Sequence, residues 1–135
     1  MHPRLRQDEL LRACGELGTH LTAYSPLGSP DSAPMIDHAG ASVMTSEVVV
    51  RIATALGKTP AQVLIRWAIQ RGTSVVPKSV TPARIESNFD VFGWELSDEQ
   101  MMELSSIEPQ ERLLHGKFWC KEEGPYRTTA DLWDE

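Results

Sequence analysis

Five helix-like stretches surround only two strand-like ones, and this imbalance constrains the fold more than any other feature of the sequence. The first helix reads from about Gln7 to Leu17, with Leu10, Cys14 and Leu17 at helical spacing and Gly18 as a left-handed stop. A short strand follows around His20 to Tyr24. Ser46 is placed to cap a helix to about Leu56, with Val49, Ile52 and Ala53 on its apolar stripe and Gly57 at its end. Thr59-Pro60-Ala61-Gln62 combines an N-cap Thr, Pro at the first helical position and Gln at the third. That helix carries Leu64, Trp67, Ala68 and Arg71 and stops at Gly72. Ser74-Val75-Val76 reads as a short buried strand closed by Pro77. Thr81-Pro82 opens a helix containing Ile85 and Phe89. Ser97 and Gln100 form a second capping box, before a stripe of Met101, Leu104 and Ile107.

Strands alternating with helices imply parallel strands joined by crossover helices. Two short parallel strands cover neither their own edges nor the apolar faces of so many helices. The pattern therefore predicts that part of the domain is missing or is supplied by another chain. Residues 31–45 show no clear period, and a stretch of that length is expected to be functional or disordered. Beyond Pro109, the aromatics Phe118, Trp119, Tyr126 and Trp133 sit among charges, which reads as a partly ordered tail packed on something.

Composition narrows the function. The 135 residues suffice for one domain. A net charge of −6 gives no general attraction for nucleic acid or an anionic membrane surface, so any bound anion needs a local basic cluster. Cys14 and Cys120 lie in unrelated contexts and are expected to be reduced thiols of a cytoplasmic protein. His2, His20, His38 and His115 are far apart, which argues against zinc on one helix face. The first residues hold no apolar signal-peptide core, and no apolar run is long enough to span a bilayer.

Two loops carry the chemistry. Tyr24-Ser25-Pro26-Leu27-Gly28-Ser29 follows the first strand, and Pro77 to Arg84 joins the second strand to a helix. In parallel α/β folds, the loops at the C-terminal ends of the strands face the ligand. The second loop has the parts of a phosphate site: hydroxyls on Ser79 and Thr81, charge on Lys78 and Arg84, and a helix N-terminus whose amides and dipole favour an anion. The same residues also describe a capped helix with two solvated basic side chains. Tyr24 is either a core aromatic with a paired hydroxyl or a platform for a planar ligand.

The segments LTAYSPLGSPD (21–31), GKTPAQVLIRWAIQRG (57–72) and VVPKSVTPARIESNFDVF (75–92) resemble the aldo-keto reductases in that order, and the opening HPRLRQDELLRAC resembles the same family. The end, GPYRTTADLWDE (124–135), is similar to its plant-type members. The resemblance implies an α/β fold, a partial (β/α)8 barrel. The chain would give the last two strands, their helices and the C-terminal tail, which would form one wall of the pocket for a small carbonyl substrate. It implies NADPH as cofactor. Tyr24 would stack on the nicotinamide, and Ser25, Leu27 and Ser29 would lie along the pyrophosphate. Lys78, Ser79, Val80, Thr81 and Arg84 would surround the 2′-phosphate, selecting NADPH over NADH. Asn88 would contact the adenine, and Asp31 would join Lys78 in a belt over the pyrophosphate.

Two departures qualify the resemblance. The family usually has Glu directly before that Asn, where this chain has Ser87, with Glu86 one residue earlier. One residue turns a helical side chain by about 100°, so Glu86 is not expected to substitute. The family's catalytic Tyr, Lys, Asp and His belong to earlier strands, and neither Tyr24 nor Tyr126 lies in the matching context. A full barrel takes about 250 residues. The expectation is a truncated form that holds the cofactor-binding part, has no catalytic residue of its own and is inactive alone. The alternatives are a non-catalytic interaction protein, such as one complementing another barrel fragment, and a small NADPH-binding module.

Overall fold

A computed structural model describes residues 1–29 and 42–133. Two strands, β1 (Thr22–Tyr24) and β2 (Ser74–Val76), pair in parallel with Thr22 opposite Ser74, Ala23 opposite Val75 and Tyr24 opposite Val76. A parallel pair needs a long connection, which here contains the helices α2 (Glu47–Leu56) and α3 (Pro60–Gln70). Helix α1 (Asp8–Glu16) precedes β1; α4 (Pro82–Phe89) and α5 (Asp98–Ser105) follow β2. A short 3₁₀ turn spans Lys117–Trp119, and α6 (Thr129–Trp133) lies near the end of the described chain.

The expected local signals act where the chemistry is local. Thr59 Oγ1 accepts from Gln62 N while Gln62 Oε1 accepts from Thr59 N, and Ser97 and Gln100 repeat the exchange at α5. Gly57 and Gly72 end α2 and α3 at φ 63° and 84°, values that favour a residue without Cβ. Two caps are not formed by side chains. Ser46 and Thr81 stand at N-cap positions without a capping bond, and at α4 the Arg84 amide donates to the Thr81 carbonyl instead.

The core lies between α2, α3 and α5 and one face of the sheet. Trp67 is fully buried there and donates from Nε1 to Ser105 Oγ at 3.1 Å. The Arg71 guanidinium lies 4.4 Å from the Trp67 ring centroid and pairs with Asp8, which ties α3 to the start of α1. Arg66 is buried and satisfied by Gln70, Val91 O and Glu95. Gln62 spans from the cap of α3 to Asp90 O at 3.0 Å.

One expectation is corrected. The strand Ser74–Val76 is not buried: Ser74 and Val75 are half-buried and Val76 is 53% exposed. The helices cover only the face bearing Ala23 and Val75, while Thr22, Tyr24 and Val76 face outward. Helix α1 buries none of its stripe, with Leu17 80% exposed, and α4 leaves Ile85 and Phe89 exposed. These helical periods are as expected, and among the described residues their apolar faces are only partly covered, as the shortage of strands implies. No single described helix is long and apolar enough to cross a membrane; α2 and α3 are apolar enough as a pair but bend by 95°.

Candidate functional site

Because Tyr24 pairs with Val76, the two loops leave the sheet side by side. Between them runs a cleft of about 670 Å³. Tyr24, Ser25, Leu27 and Ser29 line one side; Lys78, Ser79, Val80, Thr81, Arg84 and Asn88 line the other. All the residues singled out from the sequence therefore meet in one cleft, except Asp31, which lies outside the described residues.

The first loop is unusual in its backbone. Ser25 and Ser29 take φ values of 49° and 53°, and Gly28 takes 76°. A left-handed residue with a Cβ costs about 1–2 kcal/mol, so such a loop persists only where surrounding contacts hold it. Ser29 Oγ donates to Ser25 Oγ at 2.7 Å, and Gly28 N donates to Ser25 O at 3.0 Å. Tyr24 is 67% exposed at the strand end, which removes the core-aromatic alternative and leaves its ring open to the cleft.

The second loop brings charge. In a chain of net charge −6, the charged residues lining this cleft are Lys78 and Arg84, and no acidic side chain is among the described lining. Both side chains are exposed. Ser79 Oγ accepts from Thr81 N at 3.2 Å, and α4 begins at the next residue with its N-terminus toward the cleft. An anion placed here meets two cations, hydroxyls and the positive end of a helix. Ser87 lines the cleft beside Asn88, and Glu86 does not. Consecutive residues of a helix lie about 100° apart, which sets Glu86 off the lining that Ser87 joins.

Sequence reasoning missed one wall. Thr59, Pro60 and Ala61, at the N-terminus of α3, also line the cleft, together with Met44. The capping signature of α3 was legible, but its place was not drawn from it. A crossover helix runs antiparallel to its strands, so its N-terminus lies at their C-terminal ends. That rule was the available signal.

A smaller groove of about 390 Å³ shares Tyr24 and Ser25 with the cleft and lies on their other side, lined by His2, Leu5, Arg112, Leu113 and Trp133 among others. Burial, followed by the neighbouring amino terminus and Arg4, pushes the His2 imidazole down to about 3. No group of three His, Cys, Asp or Glu placed to hold a metal occurs among the described residues.

Comparison with known proteins agrees with the sequence resemblance. The sequence model of the aldo/keto reductase family matches residues 1–109. An Arabidopsis thaliana protein named aldo-keto reductase family 4 member C11 is 42% identical over 134 residues, covering 98% of this chain and 41% of that protein. The Danio rerio aldo-keto reductase family 1 member A1-A is 49% identical over 113 residues, 84% of this chain and 35% of its own length. A Zea mays deoxymugineic acid synthase 1 is 38% identical over 135 residues, 99% of this chain and 41% of its own length. The chain spans about two fifths of the length of these curated relatives.

Proposed function

The chain belongs to the aldo/keto reductase family, and from that premise we propose that its cleft is the NADPH-binding part of a carbonyl-reducing oxidoreductase. The observation that carries this reading is the cationic lining around Lys78 and Arg84 at the N-terminus of α4, without an acidic side chain among the described residues, facing an exposed Tyr24 across the ends of two parallel strands. The lining offers a group for each part of that cofactor. Lys78, Ser79, Val80, Thr81 and Arg84 would take the 2′-phosphate, Ser25, Leu27 and Ser29 the pyrophosphate, Tyr24 the nicotinamide ring and Asn88 the adenine. NADPH would supply the hydride; these residues bind and orient it. Ser87 leaves the adenine with one partner fewer than the family pattern gives.

In this proposal the chain corresponds to the last two strands of the barrel with their helices, and the tail from about residue 109 forms one wall of the pocket for a small carbonyl substrate. The reading puts the protein in the cytoplasm, with small molecules as ligands. The Tyr, Lys, Asp and His that tune proton transfer in the family have no counterparts in these 135 residues. The chain alone is therefore expected to bind NADPH without turning it over. Incubation with NADPH and an aldehyde tests this: no loss of NADPH absorbance above a protein-free blank is expected, and steady oxidation overturns the inactive reading.

A second reading is favoured by the uncovered apolar faces. Leu10 and Leu17 on α1, and Ile85 and Phe89 on α4, are exposed, and each of the two strands has one paired neighbour among the described residues. Such faces suit the docking of further strands and helices of the same fold, and a complementing barrel fragment is the corresponding partner. Mass measurement of the chain mixed with such a fragment discriminates: a complex at micromolar concentration supports this reading, and its absence counts against it.

A further inference from the structure

The loop that walls the cleft is held from behind by the segment that follows α5. Two bonds inside the loop, Ser29 Oγ to Ser25 Oγ and Gly28 N to Ser25 O, support its left-handed serines. Further support comes from outside. A Cβ built on Gly28 would lie 3.0 Å from Leu113 Cδ1 and 3.0 Å from Val43 Cγ1, so both side chains are seated directly on the loop backbone. Leu113 is 3% exposed and Val43 is fully buried, and neither lines the cleft. The segment carrying Leu113 is itself anchored. Glu111 pairs with Arg4 through both backbone and side chain, and the Arg112 guanidinium lies 4.0 Å from the Trp133 ring centroid.

We infer that Leu113 is a positioning residue for the cleft: it holds Ser25 to Ser29 in the turn that the pyrophosphate and nicotinamide need, without touching the ligand. This rests on the NADPH reading above. Its consequence is selective along the ligand. The 2′-phosphate end belongs to the loop of Lys78 to Arg84, a different segment from the one Leu113 contacts. A loss of packing at Leu113 thus weakens the half of the dinucleotide held by the first loop and leaves the adenosine 2′-phosphate half alone. Preorganisation is what changes, since the ligand's contacts are the same once the loop is in place.

The test compares wild type, Leu113→Ala and the conservative Leu113→Met. Three quantities are measured: amide exchange at Gly28, affinity for NADPH, and affinity for adenosine 2′-monophosphate, which carries the 2′-phosphate end and neither phosphate of the pyrophosphate. Leu113→Ala is expected to speed exchange at Gly28 and weaken NADPH binding about tenfold, with the monophosphate unchanged; Leu113→Met restores NADPH binding. An unchanged NADPH affinity in Leu113→Ala, or equal losses for both ligands, overturns the inference. Should Leu113→Ala not fold, Leu113→Val makes the same comparison with a smaller deletion. If wild type binds neither ligand, the NADPH reading itself falls and takes this inference with it. If wild type binds both and the variant changes neither, this inference falls alone.

Discussion

Tyr24 stands directly opposite Val76 in the parallel pair. The register brings the exposed ring of Tyr24 level with the start of the Lys78 to Arg84 loop, so one cleft receives residues more than fifty positions apart in sequence. The connection between them provides the helices that bury Ala23 and hold the pair together.

Arg84 is exposed on the first turn of α4 and lines the cleft. Its removal leaves the core untouched. Arg84→Ala is expected to weaken NADPH binding about ten- to a hundredfold, the range of a lost charge-assisted contact, and to leave NADH binding nearly unchanged. Parallel fluorescence titrations with the two nucleotides check both statements.

Tyr24 is 67% exposed, so Tyr24→Ala is expected to shift the thermal midpoint little. The same change is expected to weaken NADPH binding, because the ring offers the stacking surface at the strand end. A large loss of stability with unchanged NADPH affinity would assign Tyr24 a structural role.

Trp67 and Leu17 make an opposite pair on stability. Trp67 is fully buried with its Nε1 bonded to Ser105, whereas Leu17 is 80% exposed. Trp67→Ala is expected to cost about 3–5 kcal/mol and Leu17→Ala no more than about 0.5 kcal/mol. Urea unfolding followed by circular dichroism measures both.

His2 gives the fold a pH dependence. Its pKa is about 3 when folded, against 6.5 for an ordinary histidine. Below pH 6.5 the unfolded chain takes up a proton that the folded chain does not. The His2 contribution is therefore complete above pH 6.5 and is lost progressively as pH falls toward 3. Between pH 7 and pH 5 this amounts to about 2 kcal/mol for a two-state transition. Denaturant unfolding of wild type and His2→Gln at both pH values isolates it, since other titrating groups are common to the two proteins. Equal pH dependence in both would show that His2 titrates normally.

The capping boxes at Thr59 and Ser97 were legible because each is decided by residues three apart in sequence. The two loops were legible because Pro, Gly and Ser mark the ends of the strands. Burial was not. Leu10, Leu17, Ile85 and Phe89 have the right helical spacing, but a period names a face without saying what covers it, and these faces are open. Val76 is exposed for the same reason. Thr81 was a plausible cap, yet its carbonyl takes the Arg84 amide that its hydroxyl would have received. The left-handed turns at Ser25 and Ser29 had no signal in their own residue types; they depend on the Ser25–Ser29 bond and on the packing of Leu113 and Val43 behind Gly28.

The most direct measurement is a calorimetric titration of the whole chain with NADPH and, separately, with NADH. The account predicts saturable binding of NADPH, tighter than NADH by about tenfold or more through the Lys78 and Arg84 end of the cleft. Equal affinity for the two nucleotides, or no saturation with NADPH, would contradict it.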